Sequence, residues 1–198
     1  MMSQWMKLLT SVFIILLLRP AHGADYYVAV NGSDNNPGSI SQPWRSINFA
    51  AQNNLLQPGD TVYIRGGIYN EMVNVGVSGA SGNPITFRNY PDETPIISDN
   101  GAPGPWRWEI NDQSHLRLIG LTFKDYREGG FRCRAKDRPV TDIQLIGNHF
   151  EDQWDRSDGV GRKGLQLTTY TYPFQISDVL IKDNTFVNIN TGRITGGN

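Results

Sequence analysis

A right-handed parallel β-helix, an all-β solenoid of about 23 residues per coil, is the fold this sequence predicts, and three observations predict it. Apolar–variable–apolar triplets recur at near-constant spacing, longer segments repeat without gaps, and Gly and Asn are spread through the chain instead of clustering as in a linker. Val62-Tyr63-Ile64, Ile85-Thr86-Phe87, Trp108-Glu109-Ile110 and Phe131-Arg132-Cys133 recur at one constant interval. Leu165-Gln166-Leu167 follows only after a longer one, which implies an insertion around 152–163. Each triplet has the period-two signature of a strand with one buried face. The segments beginning at Ser114, Thr141 and Ser177 align with one another without gaps, from their first residue to Phe123, Phe150 and Phe186. With strands this short, no crossover helix fits, so each strand must pair with its equivalent one coil away, at about 4.8 Å. The expected inner columns are Ile64, Phe87, Ile110, Cys133 and Leu167, and Phe123, Phe150 and Phe186. Asn148 and Asn184 occupy equivalent positions, as in an asparagine ladder that satisfies turn backbone groups.

The N-terminus has a different character. Lys7, an apolar run from Leu8 to Leu18, and small residues at Ala21 and Gly23 form a signal peptide over residues 1–23. That run is too short for a membrane span, which needs about twenty residues. The remainder, from Ala24 to Asn198, suits one domain. Residues 24–60 are expected to cap the solenoid, with a short helix from Ser46 to Leu55 burying Ile47, Ala50, Ala51 and Leu55, and residues 61–198 to form the coils. The chain stops at Thr195-Gly196-Gly197-Asn198 in mid-pattern, so the expectation is the N-terminal piece of a longer protein.

Composition excludes several functions. The net charge of −1 becomes −3 once Lys7 and Arg19 are removed, too weak to imply a nucleic acid or an anionic membrane as partner. A single cysteine, Cys133, allows no internal disulfide and no thiolate zinc site, and its place in a core column makes it a small buried hydrophobe. The chain is expected to be a secreted monomer.

Three stretches carry a family likeness. Tyr26-Tyr27-Val28-Ala29-Val30-Asn31-Gly32-Ser33-Asp34, with Asn36-Pro37-Gly38 and Gln42-Pro43-Trp44, resembles the N-terminus of secreted pectate-lyase-like β-helix proteins. Pro58-Gly59-Asp60-Thr61-Val62-Tyr63-Ile64-Arg65-Gly66-Gly67-Ile68-Tyr69 resembles their first coil, and Gly82-Asn83-Pro84-Ile85-Thr86-Phe87 with Tyr90-Pro91 their second. The likeness is greatest to the family 9 type of polysaccharide lyase; related openings occur in β-helix glycoside hydrolases and in proteins of unknown role. It implies a β-elimination that uses Ca²⁺ held by aspartates and a lysine base. Those residues sit on later coils in the family, and the whole cluster has no counterpart here.

The residues themselves suggest where such chemistry would sit. The outward positions of the triplets read Tyr63 and Arg65, Thr86 and Arg88, Glu109 and Asn111, Arg132 and Arg134, Gln166 and Thr168, then Arg193 and Thr195. Guanidinium forks match carboxylates, so this ladder suits an acidic polysaccharide; a solvated sheet face that merely blocks aggregation would carry the same charges. Arg132 and Arg134 are the candidates to neutralise a uronate carboxylate, with Lys163 as base. Tyr63, Arg65, Arg88, Glu109 and Arg193 are candidate substrate contacts, and Trp154 a ring for stacking on a sugar. Asp155 and Asp158 are the candidate Ca²⁺ ligands, although the insertion lacks ordered ligand spacing and reads more readily as a plain acidic surface loop. A lyase of pectate-like polyuronate is therefore the expected function, with a non-catalytic glycan-binding or structural surface protein, or a β-helix glycoside hydrolase, as alternatives.

Overall fold

The computed structural model describes residues 23–99, 106–126, 128–151, 163–170 and 172–189. The signal peptide assigned to residues 1–23 lies outside them save for Gly23. Among the described residues no helix is long and apolar enough to cross a membrane.

The path begins with β1 (Asp25–Val28) and the helix α1 (Ile47–Ala51), then makes four coils of three strands. These are β2 (Thr61–Ile64), β3 (Gly67–Asn70) and β4 (Val73–Val75); β5 (Ile85–Asn89), β6 (Pro95–Ser98) and β7 (Trp108–Asn111); β8 (Leu116–Ile119), β9 (Thr122–Lys124) and β10 (Gly129–Ala135); and β11 (Val140–Ile146), β12 (His149–Glu151) and β13 (Lys163–Thr169). A fifth coil contributes β14 (Ile176–Lys182) and β15 (Thr185–Val187). Every strand pairs in parallel with its equivalent one coil away. The result is a six-stranded sheet β1-β2-β5-β8-β11-β14, a five-stranded sheet β3-β6-β9-β12-β15 and a four-stranded sheet β4-β7-β10-β13.

The corners explain the sequence repeat. Gly120, Gly147 and Asp183, at φ 67°, 62° and 56°, occupy the same place after successive strands of the six-stranded sheet. His115, Asp142 and Asp178, at φ 57°, 57° and 51°, occupy another near the start of those strands. Left-handed backbone suits Gly and is tolerated by Asp, whose short side chain bonds locally, which is why these residues recur at equivalent places. Inside the corner that follows, the Asn148 amide donates to Leu118 O at 3.0 Å and to Asn184 Oδ1 at 3.0 Å, while its own Oδ1 accepts from Leu121 N at 3.0 Å. Asn184 repeats the bond one coil on, donating to Leu145 O at 2.8 Å. The asparagine ladder is thus present, and it satisfies backbone groups that would otherwise be buried unpaired.

The inner columns differ from the expected ones. Val62, Phe87, Leu118, Leu145 and Ile181 stack in the six-stranded sheet. Val75, Ile110, Cys133 and Leu167 stack in the four-stranded sheet. The expected single column of Ile64, Phe87, Ile110, Cys133 and Leu167 does not form: Ile110, Cys133 and Leu167 stack in the four-stranded sheet, whereas Phe87 stacks on Val62 in the six-stranded sheet and Ile64 pairs there with Asn89. The constant interval of the triplets is a true coil length from Glu109 to Arg132. Elsewhere the coils are longer: Tyr63 pairs with Arg88, not with Thr86, and Arg88 pairs with Ile119. Loops between strands absorb these differences. The phenylalanine column is as expected: Phe123, Phe150 and Phe186 stack with centroids 4.8 and 5.0 Å apart. Cys133 is buried and free, and burial pushes its thiol up to about 12, so it is an unreactive core side chain. In the last coil, Ile181 and Phe186 are 44% and 46% exposed, whereas their partners one coil back are fully buried.

At the N-terminal end, α1 packs against β4 and buries Ile47, Ala50 and Ala51. Ser46 caps it, accepting from Phe49 N at 3.1 Å, and Glu71 reaches back from the first coil to accept from Ile47 N and Asn48 N, both at 2.9 Å. The helix is shorter than expected. It ends at Ala51, and the turn that follows exposes Leu55 (60%) and buries Leu56 in its place.

Two outcomes follow from this packing. Ile110→Asp would bury an unpaired charge between Val75 and Cys133, and thermal unfolding should show a loss of about 4 kcal/mol or more; a variant melting like the parent would contradict the column. The second concerns acid. Burial raises the Asp142 carboxyl, but hydrogen bonds from His115 (3.0 Å) and Arg117 (2.7 Å) outweigh it and hold the group below its ordinary value of 3.8. A folded value below the unfolded one stabilises the fold above the unfolded value, and that stabilisation is lost as pH falls through the folded value. The melting gap between parent and Asp142→Asn should therefore be constant above about pH 5 and shrink towards about pH 2. A gap that stays constant over that range would refute the assignment.

Candidate functional site

The outer face of the four-stranded sheet gathers most of the chemistry. Glu109 on β7 stands directly opposite Arg132 on β10, and Asn111 stands opposite Arg134. Gln166 and Thr168 of β13 continue the two rows on the next coil. Because strand neighbours lie about 4.8 Å apart, side chains distant in sequence here meet directly.

Glu109 organises the rows. Its two oxygens each take one arginine: Arg132 Nη2 is paired with Oε1, and Arg134 Nη2 with Oε2 at 2.8 Å. Arg134 Nε also donates to Asn111 Oδ1 at 2.7 Å. The carboxylate is only 9% exposed, so the two guanidiniums are locked by partners shielded from water. Sequence reasoning placed Glu109 against the substrate; the structure places it beneath the arginines, as their anchor.

Trp106 was not evident from the sequence. It precedes β7 and lies across Gly129, where a Cβ atom would collide with its ring. Glycine at 129 is therefore what lets the indole cross the strand. Arg132 Cζ stands 5.1 Å from the Trp106 centroid, and Lys163 Nζ, on the next coil, stands 6.0 Å from it. Both are cation–π contacts at their outer range. The Gly129-Gly130 pair was the one signal in the sequence that something crosses there.

Lys163, Arg132 and Arg134, the three candidates for catalysis, are thus brought onto one face. Against them stands a single carboxylate in the four strands, Glu109, which leaves an excess of two positive charges. Lys163 is exposed and has no ion-pair partner among the described residues. Tyr170, just past β13, places its ring 5.8 Å from Arg134 Cζ.

Tyr63, Arg65 and Arg88 belong elsewhere. They line the six-stranded sheet and its edge, where Tyr63 stacks on Tyr27 at 5.5 Å and Arg88 Cζ stands 5.7 Å over Tyr63. Arg65 is held by Glu93 through Nε, at 2.8 and 2.9 Å, and through Nη2 at 2.6 Å. Arg65 and the Gly66 N–H together hold the Glu93 carboxyl below its ordinary value. The expected continuous ladder of arginines is therefore two separate groups on two sheets. Trp154, Asp155, Asp158 and Arg193 lie outside the described residues. Among the described residues no cluster of three or more His, Cys, Asp or Glu is arranged to hold a metal ion.

His149 faces out and approaches Glu151 at 3.3 Å, with Lys124 3.4 Å from the same carboxylate. This group lies on the five-stranded sheet, apart from the rows described above.

Comparison with known proteins agrees with this architecture. The uncharacterized protein YwoF of Bacillus subtilis is 39% identical over 107 residues, which is 51% of this chain and 22% of that protein. Pectate lyase PEL9 of Emericella nidulans is 37% identical over 97 residues, 48% of this chain and 23% of that one. The chain thus matches less than a quarter of the length of either relative. Among solved structures, a GH136 lacto-N-biosidase from Eubacterium ramulus superposes with a TM-score of 0.69 at 20% identity, over 83% of this chain and 34% of the other. A rhamnogalacturonan lyase superposes at 0.53 and 18% identity, over 86% and 59%. At these identities the likeness is one of fold. The family described as the Pel9A-like right-handed β-helix region matches residues 26–194, nearly all that follows the N-terminal apolar segment, and the chain belongs to that family.

Proposed function

We propose that this is a secreted protein that binds an acidic, pectate-like polysaccharide on the outer face of its four-stranded sheet and acts on it as a lyase. The observation that carries this reading is the pair Arg132–Arg134 fixed by one shielded carboxylate, with Lys163 beside it on the next coil. Arginine forks fixed in this way offer their remaining N–H groups to a uronate carboxylate at little cost in side-chain entropy. The kinship to pectate lyase PEL9 supports the same substrate class. A glycosidase needs two carboxyl groups flanking the scissile bond. These four strands supply one, and it is engaged with both arginines, so β-elimination suits this face better than hydrolysis.

In that reaction the neutralised carboxylate acidifies the adjacent C5–H. Lys163 Nζ is the group assigned to take the C5 proton; the C4–O glycosidic bond breaks as the C4–C5 double bond forms, and the departing oxygen picks up a proton from solvent. Calcium enters as a further proposal, from the family likeness and from Asp155 and Asp158. The described residues supply no set of ligands for it, so no step here is built on it.

Removing both arginines would leave Glu109 shielded and unpaired, at a cost of about 3–5 kcal/mol, so a plain double alanine variant would confuse binding with folding. Glu109→Gln, Arg132→Gln and Arg134→Gln combined keep the hydrogen-bonding shapes. This triple variant should bind polygalacturonate at least about tenfold more weakly than the parent, with unchanged retention on neutral glycans, and parental binding should weaken as salt rises. In the same assay, Lys163→Ala should keep affinity and lose ultraviolet-absorbing unsaturated products by about a hundredfold or more. Equal retention of parent and triple variant on acidic glycan, or full turnover by Lys163→Ala, would overturn the respective role. For calcium, added Ca²⁺ should raise the melting temperature of the parent and not that of Asp155→Asn with Asp158→Asn; identical shifts in both would remove those two residues as ligands.

A further inference from the structure

Extending that reading, we propose that Tyr170 forms a sugar-stacking subsite at the end of the basic rows, where it holds the ring face of a uronic acid residue whose carboxylate is taken by Arg134. A pyranose presents an apolar face of C–H groups and, in a uronate, an in-plane carboxylate. A site for it therefore needs an open aromatic ring beside a planar cation with spare donors.

Trp106 does not meet the first requirement. It is 3% exposed and its ring is faced by Arg132 and Lys163, so it is a pedestal for the cations. Tyr170 is 62% exposed. Its position is nonetheless fixed, because its N–H donates to Ala135 O at 3.1 Å and so continues the β10–β13 ladder one step past the end of β13. The neighbouring Tyr172 is 95% exposed and lies beyond that ladder bond. The built position is Tyr170.

Arg134 meets the second requirement. Of its five N–H groups, Nε–H is given to Asn111 and one Nη2–H to Glu109, which among the described residues leaves three for a ligand. Its Cζ stands over one side of the Tyr170 ring, 5.8 Å from the centroid, and the ring stays 62% exposed, so a sugar stacked on the exposed part of the ring can turn its carboxylate to Arg134. Arg132 and Lys163, further back along the strands, are then positioned for the next unit of the chain. Tyr170 thus acts as a specificity-determining contact, separate from the residues that carry the chemistry.

The test uses the purified protein and calorimetric titration with an oligogalacturonide and with a neutral galactan oligomer of matched length. Tyr170→Ala should weaken oligogalacturonide binding by about five- to tenfold, while its melting temperature stays that of the parent because the ring is exposed. Tyr170→Phe should stay within about a factor of two, since stacking needs no hydroxyl. Arg134→Gln should lose the preference for the acidic over the neutral oligomer while Tyr170→Ala keeps it. Parental affinity in Tyr170→Ala, or an equal loss in Tyr170→Phe, would overturn the stacking role and leave the binding face standing. A parent that binds no acidic oligomer would overturn both.

Discussion

One pairing constraint governs this molecule. Successive strands are separated by corners that put them on different sheets, so each pairs in parallel with its counterpart one coil on. A residue's partner is thereby chosen by the length of the intervening coil. Inner columns, the asparagine ladder and the ion pairs are all consequences. Glu109 meets Arg132, Arg65 meets Glu93, and Arg117 meets Asp142, each across one coil and each coil of a different length. Coil length varies without breaking the register because the corners, not the loops, set where each strand begins. Left-handed Gly, Asp and His residues at repeated positions turn the backbone by the same amount in each coil.

That constraint also explains what was legible in the sequence. The gapless repeats at Ser114, Thr141 and Ser177 include their corner residues, so they identified true structural equivalents: Leu116, Ile143 and Val179 are in register as read. The triplets did not include corners. A period-two pattern records that one face is buried and says nothing about which sheet it belongs to, so Val62-Tyr63-Ile64 and Trp108-Glu109-Ile110 looked alike while lying on different sheets. The error then passed to the site. Glu109, Arg132 and Arg134 were read as outward and do share one face, whereas Tyr63, Arg65 and Arg88 were placed on that face and belong to another.

Pairing between charges was the least legible feature. Whether an outward arginine is free depends on which acid faces it, and that depends on a register the sequence does not print. The outward arginines of the six-stranded sheet and its edge illustrate the range: Arg65 is fully engaged by Glu93, Arg117 is paired with Asp142, and Arg88 lies over an aromatic ring. Trp106 was hidden for a different reason. It lies just outside a strand, and its placement depends on Gly129, one coil further on.

The two arginine groups differ in a way that bears on function. Glu93 binds Arg65 through both of its oxygens, one acid to one base, and the pair is close to neutral as seen from solvent. Glu109 is divided between Arg132 and Arg134, so that group keeps a net positive charge while both guanidiniums are fixed in place. Burying a carboxylate costs stability, and two charge-assisted bonds offset that cost here. A shared buried acid therefore does what two separate salt bridges cannot: it orders a pair of cations without cancelling them. Because both arginines lie on β10, two residues apart, that arrangement yields two fixed positive charges about 7 Å apart along one strand. A flexible row of unpaired arginines would lose more side-chain entropy on meeting the same polyanion, and would bind it more weakly.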